Sequence, residues 1–281
     1  GIAGAVALLA TFTWWERRVA QPLLDVRLFR NRRFSAASLA VTLGFFALFG
    51  FIFLVTQYFQ LVKGYSALQA GVRTVPFALA MAITAVSSPQ IVKRAGTKLV
   101  VAVGLTLMAG GFAVAATTDA SSSYGVIVIA MVLMGTGLGS ALTPATESIL
   151  GALPRDQAGV GSAVNDTTRE VGGTLGVAVL GSIMASLYGG RIVDALRGSP
   201  LPTALRQAAG DSLAAALQIA GRVGGTAGAG IARAAQDAFV HAFQVGSIVT
   251  GGVALLGAVI ALLFLPARAA SGAKPPRSTL G

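Results

Sequence analysis

The amino-acid sequence predicts an all-α protein that crosses a membrane several times. Three observations lead there: few charges, long apolar runs, and charges confined to the gaps between those runs. Hydrophobic residues make up 54% of the chain and charged residues 11%, with a mean hydropathy of +0.76, whereas soluble domains carry about 25% charged residues. A water-soluble chain of 281 residues would need a charged surface, and this one has too little charge to build it. Lipid is therefore the solvent for most side chains. A backbone in lipid must satisfy its hydrogen bonds within the segment or in a closed barrel, and unbroken apolar runs of about 20 residues do not alternate like barrel strands. The spanning elements are helices.

In chain order, residues 1–15 are apolar and run straight into Glu16, Arg17 and Arg18. They lack the basic start of a secretory signal and are shorter than a full span, so they read as the end of a truncated transmembrane helix. A basic linker follows over 16–34. Six apolar runs at 35–61, 70–92, 99–116, 124–150, 160–188 and 239–265 predict a six-helix bundle over 35–265. The interval 189–237 is a long exterior loop rich in Ala and Gly. Within it Leu213, Leu217 and Ala220 recur at helical spacing, which predicts short amphipathic helices at the membrane surface, a structural cover rather than a binding domain. The Pro-, Gly- and Ser-rich tail at 266–281 is expected to be disordered and cytoplasmic.

Orientation comes from Lys and Arg in alternate loops. The linker, the 93–98 loop, Arg155 and the tail together hold thirteen, while the segment 117–123 has none. Basic loops stay inside, so the linker and the C-terminus face the cytoplasm and the chain is a multi-pass protein of the cell membrane. The formal charge of +11 therefore anchors topology. It is not gathered on one soluble face, so lipid and not nucleic acid is the partner it implies. The chain has no cysteine and one histidine, His241, which excludes disulfides and a His-rich metal site. It also lacks a glycine loop ending in Lys-Ser or Lys-Thr, which argues against ATP hydrolysis. Neither a cofactor nor an enzymatic activity is expected.

Several motifs resemble a known family. Pro22-Leu-Leu-Asp25 followed by Leu28-Phe-Arg-Asn31 is similar to the linker that opens the second bundle in fourteen-helix drug:proton antiporters of the major facilitator superfamily, the EmrB/QacA type. Gln57-Tyr-Phe-Gln60-Leu-Val-Lys-Gly64-Tyr-Ser66, then Gln69-Ala-Gly71 and Pro76, resembles the exit of that bundle's first helix and the start of its second. The run Gly159-Val-Gly161 through Asn165-Asp166, Arg169-Glu170 and Gly172-Gly173 resembles the penultimate helix. The loop 89–98 is a degenerate copy of the cytoplasmic loop signature: Arg94, Gly96 and Lys98 are in place, and Lys93 stands where an acidic residue belongs.

The resemblance implies a C-terminal six-helix bundle of a major facilitator fold, preceded by the end of another transmembrane helix. It implies a missing N-terminal six-helix bundle as partner. The activity implied for the intact protein is multidrug efflux: export of a small lipophilic or cationic drug in exchange for protons, by rocking of two bundles about a midplane site. Two alternatives stay open: export of another small molecule on the same scaffold, or an inactive truncated product that needs a separate N-terminal half.

Asp166, Arg169 and Glu170 lie at i, i+3 and i+4 and share one helix face. Arg169 falls about 14 Å beyond Val160, a depth at which charges pair or line water-filled cavities. Glu147, near the end of the preceding antiparallel helix, is expected within its reach, at the level of Asn165. The cluster reads as a structural charge network, as a gate that opens in one state, or as a carboxylate with raised pKa that carries the coupled proton. Gln57 and Gln60, three apart on one face, would hydrogen-bond either a drug or a neighbouring helix. Arg73 reads as a snorkelling anchor. Seven of the fourteen phenylalanines fall between Phe34 and Phe59, an aromatic wall for lipophilic cations or a lipid-facing filler. Gly135 with Gly139 and Gly172 with Gly176 have the spacing for close helix approach. Pro76, Pro89 and Pro144 are candidate bend points for the rocking motion or elements of static packing.

Overall fold

The computed structural model describes residues 2–19, 26–153, 157–199 and 201–266. The Pro22 to Asp25 motif, Arg155 and the tail cations lie outside them. Among the described residues every regular element is helical, and six helical stretches are long and apolar enough to cross a bilayer: 32–62, 67–95, 97–115, 124–150, 158–195 and 225–264. The predicted all-α membrane bundle is thus the observed architecture.

Helix α1 (Ile2–Glu16) and a short 3-10 turn (Val26–Arg30) precede the bundle. Helix α2 (Arg32–Gln57) begins where the Asn31 side chain accepts hydrogen bonds from the backbone N–H groups of Arg33 at 3.0 Å and Phe34 at 3.4 Å, satisfying two donors that a helix start leaves free. A wider π turn (Tyr58–Val62) ends this span. Helix α3 (Ala67–Arg73) starts with a capping box: Ser66 accepts from the Gln69 N–H, and Gln69 accepts from the Ser66 N–H, both at 3.2 Å. Helix α4 (Val75–Ala95) follows after a break at Thr74, and α5 (Thr97–Ala115) follows Gly96, whose φ of +84° suits glycine alone. Helices α6 (Tyr124–Leu150) and α7 (Ala158–Ala195) lead to α8 (Thr203–Asp211), α9 (Leu213–Val223) and α10 (Gly225–Phe264).

Helix direction alternates, which defines two ends. The basic end holds the starts of α2, α5 and α7 and the finishes of α4, α6 and α10. The other is the capped end, because α7 and α10 have 38 and 40 residues, about 57 and 60 Å at 1.5 Å per residue, against a hydrocarbon core of about 30 Å. Both continue well past the bundle as helix, so the described residues of the interval 189–237 are helical apart from short turns. The extended ends pack with α8 and α9. The apolar faces expected on those short helices turn onto protein: Leu213, Ala216 and Ile219 are buried in one core with Ile192, Ile231 and Ala235, continuous with the bundle interior at Leu180 and Phe243. A second, smaller core around Phe34, Leu105, Ile149 and Val164 fills the basic end.

In the bundle α4 packs on α6 and α6 on α5, α2 packs on α7, and α10 joins α2, α5 and α7. The two predicted small-residue pairs make the close seams. A Cβ on Gly135 or Gly139 would strike the carbonyls of Phe77 or Met81 on α4, and one on Gly172 or Gly176 would strike those of Thr42 or Phe46 on α2.

The proline candidates divide. Pro76 stands in the first turn of α4, two residues past the break at Thr74 that interrupts the 67–95 stretch, where its missing N–H costs nothing. Pro89 and Pro144 lie inside α4 and α6. Pro144 removes the bond to the Ser140 carbonyl four residues earlier, and the buried Ser88 hydroxyl of α4 donates to that carbonyl at 3.0 Å.

Candidate functional site

The charged cluster of α7 sits toward the basic end, where α2, α6 and α7 meet. Asp166 and Glu170 are exposed on the outer face of α7, about 12 and 18 Å along the helix from its start. Asn165 is buried and turned inward, and Arg169 is half-buried. With its carboxamide oxygen facing the guanidinium, Asn165 accepts from Arg169 Nε and Nη2 at 3.3 Å each, and its amide donates to Thr146 Oγ1 at 3.2 Å. Arg169 Nη2 lies 3.4 Å from the same hydroxyl, and the guanidinium stands 5.2 Å from the centre of the Phe45 ring. A carboxamide, a hydroxyl and an aromatic face thus surround this cation.

Arg169 and Glu147 form no ion pair. Thr146 points at α7, and successive residues on a helix are turned by about 100°, so Glu147 is carried to the exposed side of α6. The expected charge network is replaced by a neutral one, and all three carboxylates are left outward. Sequence reading missed Thr146 and Phe45. Thr146 is one residue from the position singled out, and Phe45 belongs to the aromatic run without any local mark to separate it from its neighbours.

Gln57 and Gln60 do not act together. The π turn between them, with the Lys63 N–H reaching back five residues to the Tyr58 carbonyl at 3.1 Å, widens the helix and swings the two side chains apart. Gln57 lines a cavity of about 180 Å³ below the cap with Phe53, Tyr188 and Phe239, and it bends back toward its own Phe53 carbonyl at 3.5 Å. Gln60 lines a separate cavity of about 350 Å³ between α2, α3 and α4. A third cavity, about 440 Å³, opens at the basic end between Phe12, Phe29, Thr42 and the Thr167–Val171 stretch of α7. Among the described residues no group of three or more His, Asp or Glu side chains is gathered as a metal site would require.

Arg73 is an anchor of another kind than snorkelling suggests: its guanidinium stacks 4.0 Å from the Tyr65 ring centre, and the Tyr124 hydroxyl donates to its carbonyl at 2.9 Å. Lys63, the lysine of the Gln57 to Ser66 motif, donates to the carbonyls of Ala120 and Ser122 at 2.7 Å each.

The comparisons with known proteins agree with this architecture. The model of the Major Facilitator Superfamily matches residues 1–177. The tetracenomycin C resistance and export protein of Streptomyces glaucescens is 32% identical over 100% of this chain and 54% of its own length. The multidrug efflux pump LfrA of Mycolicibacterium smegmatis is 29% identical over 94% of this chain and 50% of its own. The multidrug resistance protein Stp of Mycobacterium tuberculosis is 33% identical over 63% of this chain and 33% of its own. The chain thus spans about half the length of the first two and a third of the last. With a family model covering more than half its residues and an all-helical bundle of membrane-length helices, this chain belongs to the major facilitator superfamily.

Proposed function

We propose that this chain is the C-terminal portion of a secondary active transporter that exports lipophilic, often cationic, drugs in exchange for protons, of the fourteen-helix drug:proton antiporter type. In this reading the basic end is cytoplasmic, the protein lies in the cell membrane, and an N-terminal six-helix bundle completes it. No bond in the substrate is made or broken.

One observation carries the reading. Asp166 and Glu170 stand one turn apart on the exposed face of a bilayer-length helix, well inside its span. Facing lipid near the bilayer centre would cost each at least about 2.5–3.5 kcal/mol, so that face adjoins protein or water. In a two-bundle transporter it is the surface where the second bundle meets this one. Asp166 and Glu170 are the candidates for the proton pathway, and Arg169, held by Asn165 and Thr146, sets the local potential between them.

The test is efflux of ethidium from cells expressing the chain alone or with its upstream sequence restored, with and without a protonophore. Protonophore-sensitive efflux from the restored protein only is expected. Asp166→Asn with Glu170→Gln should abolish that efflux while membrane insertion persists. Efflux indifferent to the protonophore rejects proton coupling, and efflux retained by the double variant rejects the assignment of the carboxylates. A narrower exporter of a single antibiotic is the second reading, favoured by the full-chain match to a relative named for one compound. Restored protein that exports tetracenomycin C but leaves ethidium inside would select it.

A further inference from the structure

The cavity of about 440 Å³ at the basic end is a groove between the bundle and a loosely attached wall. Thr42 of α2 and the Val160 to Val171 stretch of α7 form the bundle side, and Phe12 of α1 with Phe29 of the 3-10 turn forms the other. Neither ring is taken up by a core: Phe12 is 44% and Phe29 43% exposed, and α1 packs extensively on no other described element. The hydroxyls in the lining are already used. Thr42, Thr167 and Thr168 donate to the carbonyls of Ser38, Ala163 and Asn165 on their own helices at 3.0, 2.8 and 2.7 Å, so no side chain is free to orient a polar guest. Along α7 the lining extends about 16 Å, from about 3 Å past the helix start, which is close to half of a hydrocarbon core of about 30 Å.

The groove begins where the chain is basic. Arg17 follows the end of α1, about one and a half turns beyond Phe12, and Arg30 and Arg32 flank Asn31, next to Phe29. These three arginines are exposed and have no ion pair or side-chain hydrogen bond among the described residues. Arg18 stacks 4.2 Å from the Trp14 ring centre, and Trp14 and Trp15 are 51% and 60% exposed, as rings that sit at headgroup level are. Glu16 is buried, and Asp166 and Glu170 lie about 90–130° round α7 from the middle of the lining, so no carboxylate enters the groove. From an apolar groove half a bilayer long, opening beside unpaired arginines, we infer a site for one anionic phospholipid. An acyl chain lies between α1 and α7, and the phosphate meets Arg17, Arg30 and Arg32 at the membrane surface. The lipid supplies the packing that α1 lacks. A cationic drug would find the same walls behind a repulsive entrance. This site goes beyond the export reading and takes from it only the leaflet, the cytoplasmic one.

Trp14 and Trp15 are the two tryptophans of the chain, so a lipid brominated on its acyl chains reports its arrival by quenching them. The chain in phosphatidylcholine nanodiscs is titrated with dibrominated phosphatidylglycerol and, separately, with dibrominated phosphatidylcholine. Half-quenching is expected at a phosphatidylglycerol fraction at least about fivefold lower, the gain from one arginine near an anionic headgroup. Arg30→Gln with Arg32→Gln should remove that preference. Ala163→Phe, at an exposed position of the lining, should remove it by filling the groove. Quenching of both variants by the phosphatidylcholine probe shows that they are inserted. Lys93→Gln with Arg94→Gln deletes two exposed cations at the finish of α4 and should keep the preference. Equal quenching of the parent by the two lipids overturns the proposal. So does a preference lost equally in the Lys93 and Arg94 variant, which assigns it to diffuse charge, or one kept by Ala163→Phe, which leaves the groove without a chain. In the restored protein, the phosphatidylglycerol that co-purifies should fall in Ala163→Phe. An equal amount in parent and variant means that the second bundle fills the groove, and overturns the proposal as well. Because lipid is read without efflux, a failed ethidium assay leaves a positive result here intact, and retained ethidium efflux beside equal quenching removes this site alone.

Discussion

At the capped end the backbone between α5 and α6 is fastened from outside, and at the basic end the side chains of α7 are left facing out. The Thr118, Asp119, Ala120 and Ser122 carbonyls accept bonds from Gln244 at 2.9 Å, Tyr58 at 2.6 Å, and Lys63 at 2.7 Å twice. That cation is satisfied inside the chain, over a core continuous with the cap. At the basic end Arg169 finds only neutral partners, and Glu147, Asp166 and Glu170 are exposed. Polar groups that complete one another hold a fold together, whereas charges left over at membrane depth are surface kept for something else. Stability therefore concentrates at the capped end and the candidate chemistry at the basic end, within one bundle.

The seam that joins the ends should give the largest effect. A side chain at Gly176 would lie on the Phe46 carbonyl of α2, and an overlap with backbone leaves nothing that can rotate away. Gly176→Leu is expected to destabilise the chain by about 3 kcal/mol or more, read as the unfolding midpoint in mixed micelles. Gly190→Leu, on the same helix with no atom within 4 Å of its Cβ, should stay within about 0.5 kcal/mol of the parent. Equal losses at both positions would mean that α2 and α7 are not closely seamed.

A matched pair of cation deletions tests the comparison directly. Lys63→Met removes two charge-assisted bonds and is expected to cost about 2 kcal/mol, with faster amide exchange across 117–123. Arg169→Met takes both donors from the buried Asn165 oxygen, for which only the Thr146 hydroxyl can substitute, and should cost about 1 kcal/mol, less than Lys63→Met, while abolishing drug efflux from the restored protein. A larger stability loss at Arg169 than at Lys63 would reverse the assignment of the two ends.

What the sequence showed of this follows from the kind of signal each feature leaves. Apolar length located all six spans to within a few residues at most ends, because a bilayer imposes its thickness on composition. It failed at 189–195 and 225–237, where α7 and α10 continue as helix past the bundle: nothing in an Ala- and Gly-rich stretch separates an emergent helix from a loop until the packing partners α8 and α9 are known. Gly135, Gly139, Gly172 and Gly176 were legible as close-approach positions from spacing alone. The neighbourhood of Arg169 was not, since spacing puts Glu147 at the right height, while only the rotation of α6 decides that Thr146 faces it. Gln57 and Gln60 were read on one face for want of any sequence mark for the π turn.

Smaller effects probe the middle of the bundle. Ser88 donates to the carbonyl that Pro144 leaves free, so Ser88→Ala should cost about 0.6 kcal/mol, the typical worth of an interhelical bond in a membrane. In a Pro144→Ala background the Ser140 carbonyl recovers a helical partner, and the same Ser88→Ala change should then cost close to nothing. Equal costs in both backgrounds would show that the hydroxyl stabilises by packing and not by serving the proline break.

The smallest effect is a pH dependence confined to the loop that the capped end fastens. Hydrogen bonds from the Ser121 and Ser122 hydroxyls, together with the Ser121 N–H, hold the Asp119 carboxyl below its ordinary value of 3.8. A carboxyl with a depressed folded-state pKa contributes order above the unfolded value and loses it as pH falls through the folded one. The turn should therefore be indifferent to pH from neutrality down to about 4, and loosen progressively below it. The group is fully exposed, so the loss is local: the Ser121 amide protection factor should fall between pH 6 and pH 3, while that of Leu180 in the shared core stays constant. Asp119→Asn should flatten the dependence. If Lys63 and Tyr58 alone hold this segment through its carbonyls, the Ser121 profile will be flat in the parent as well, and the capped end will owe its order to the bundle's side chains and not to the turn's own.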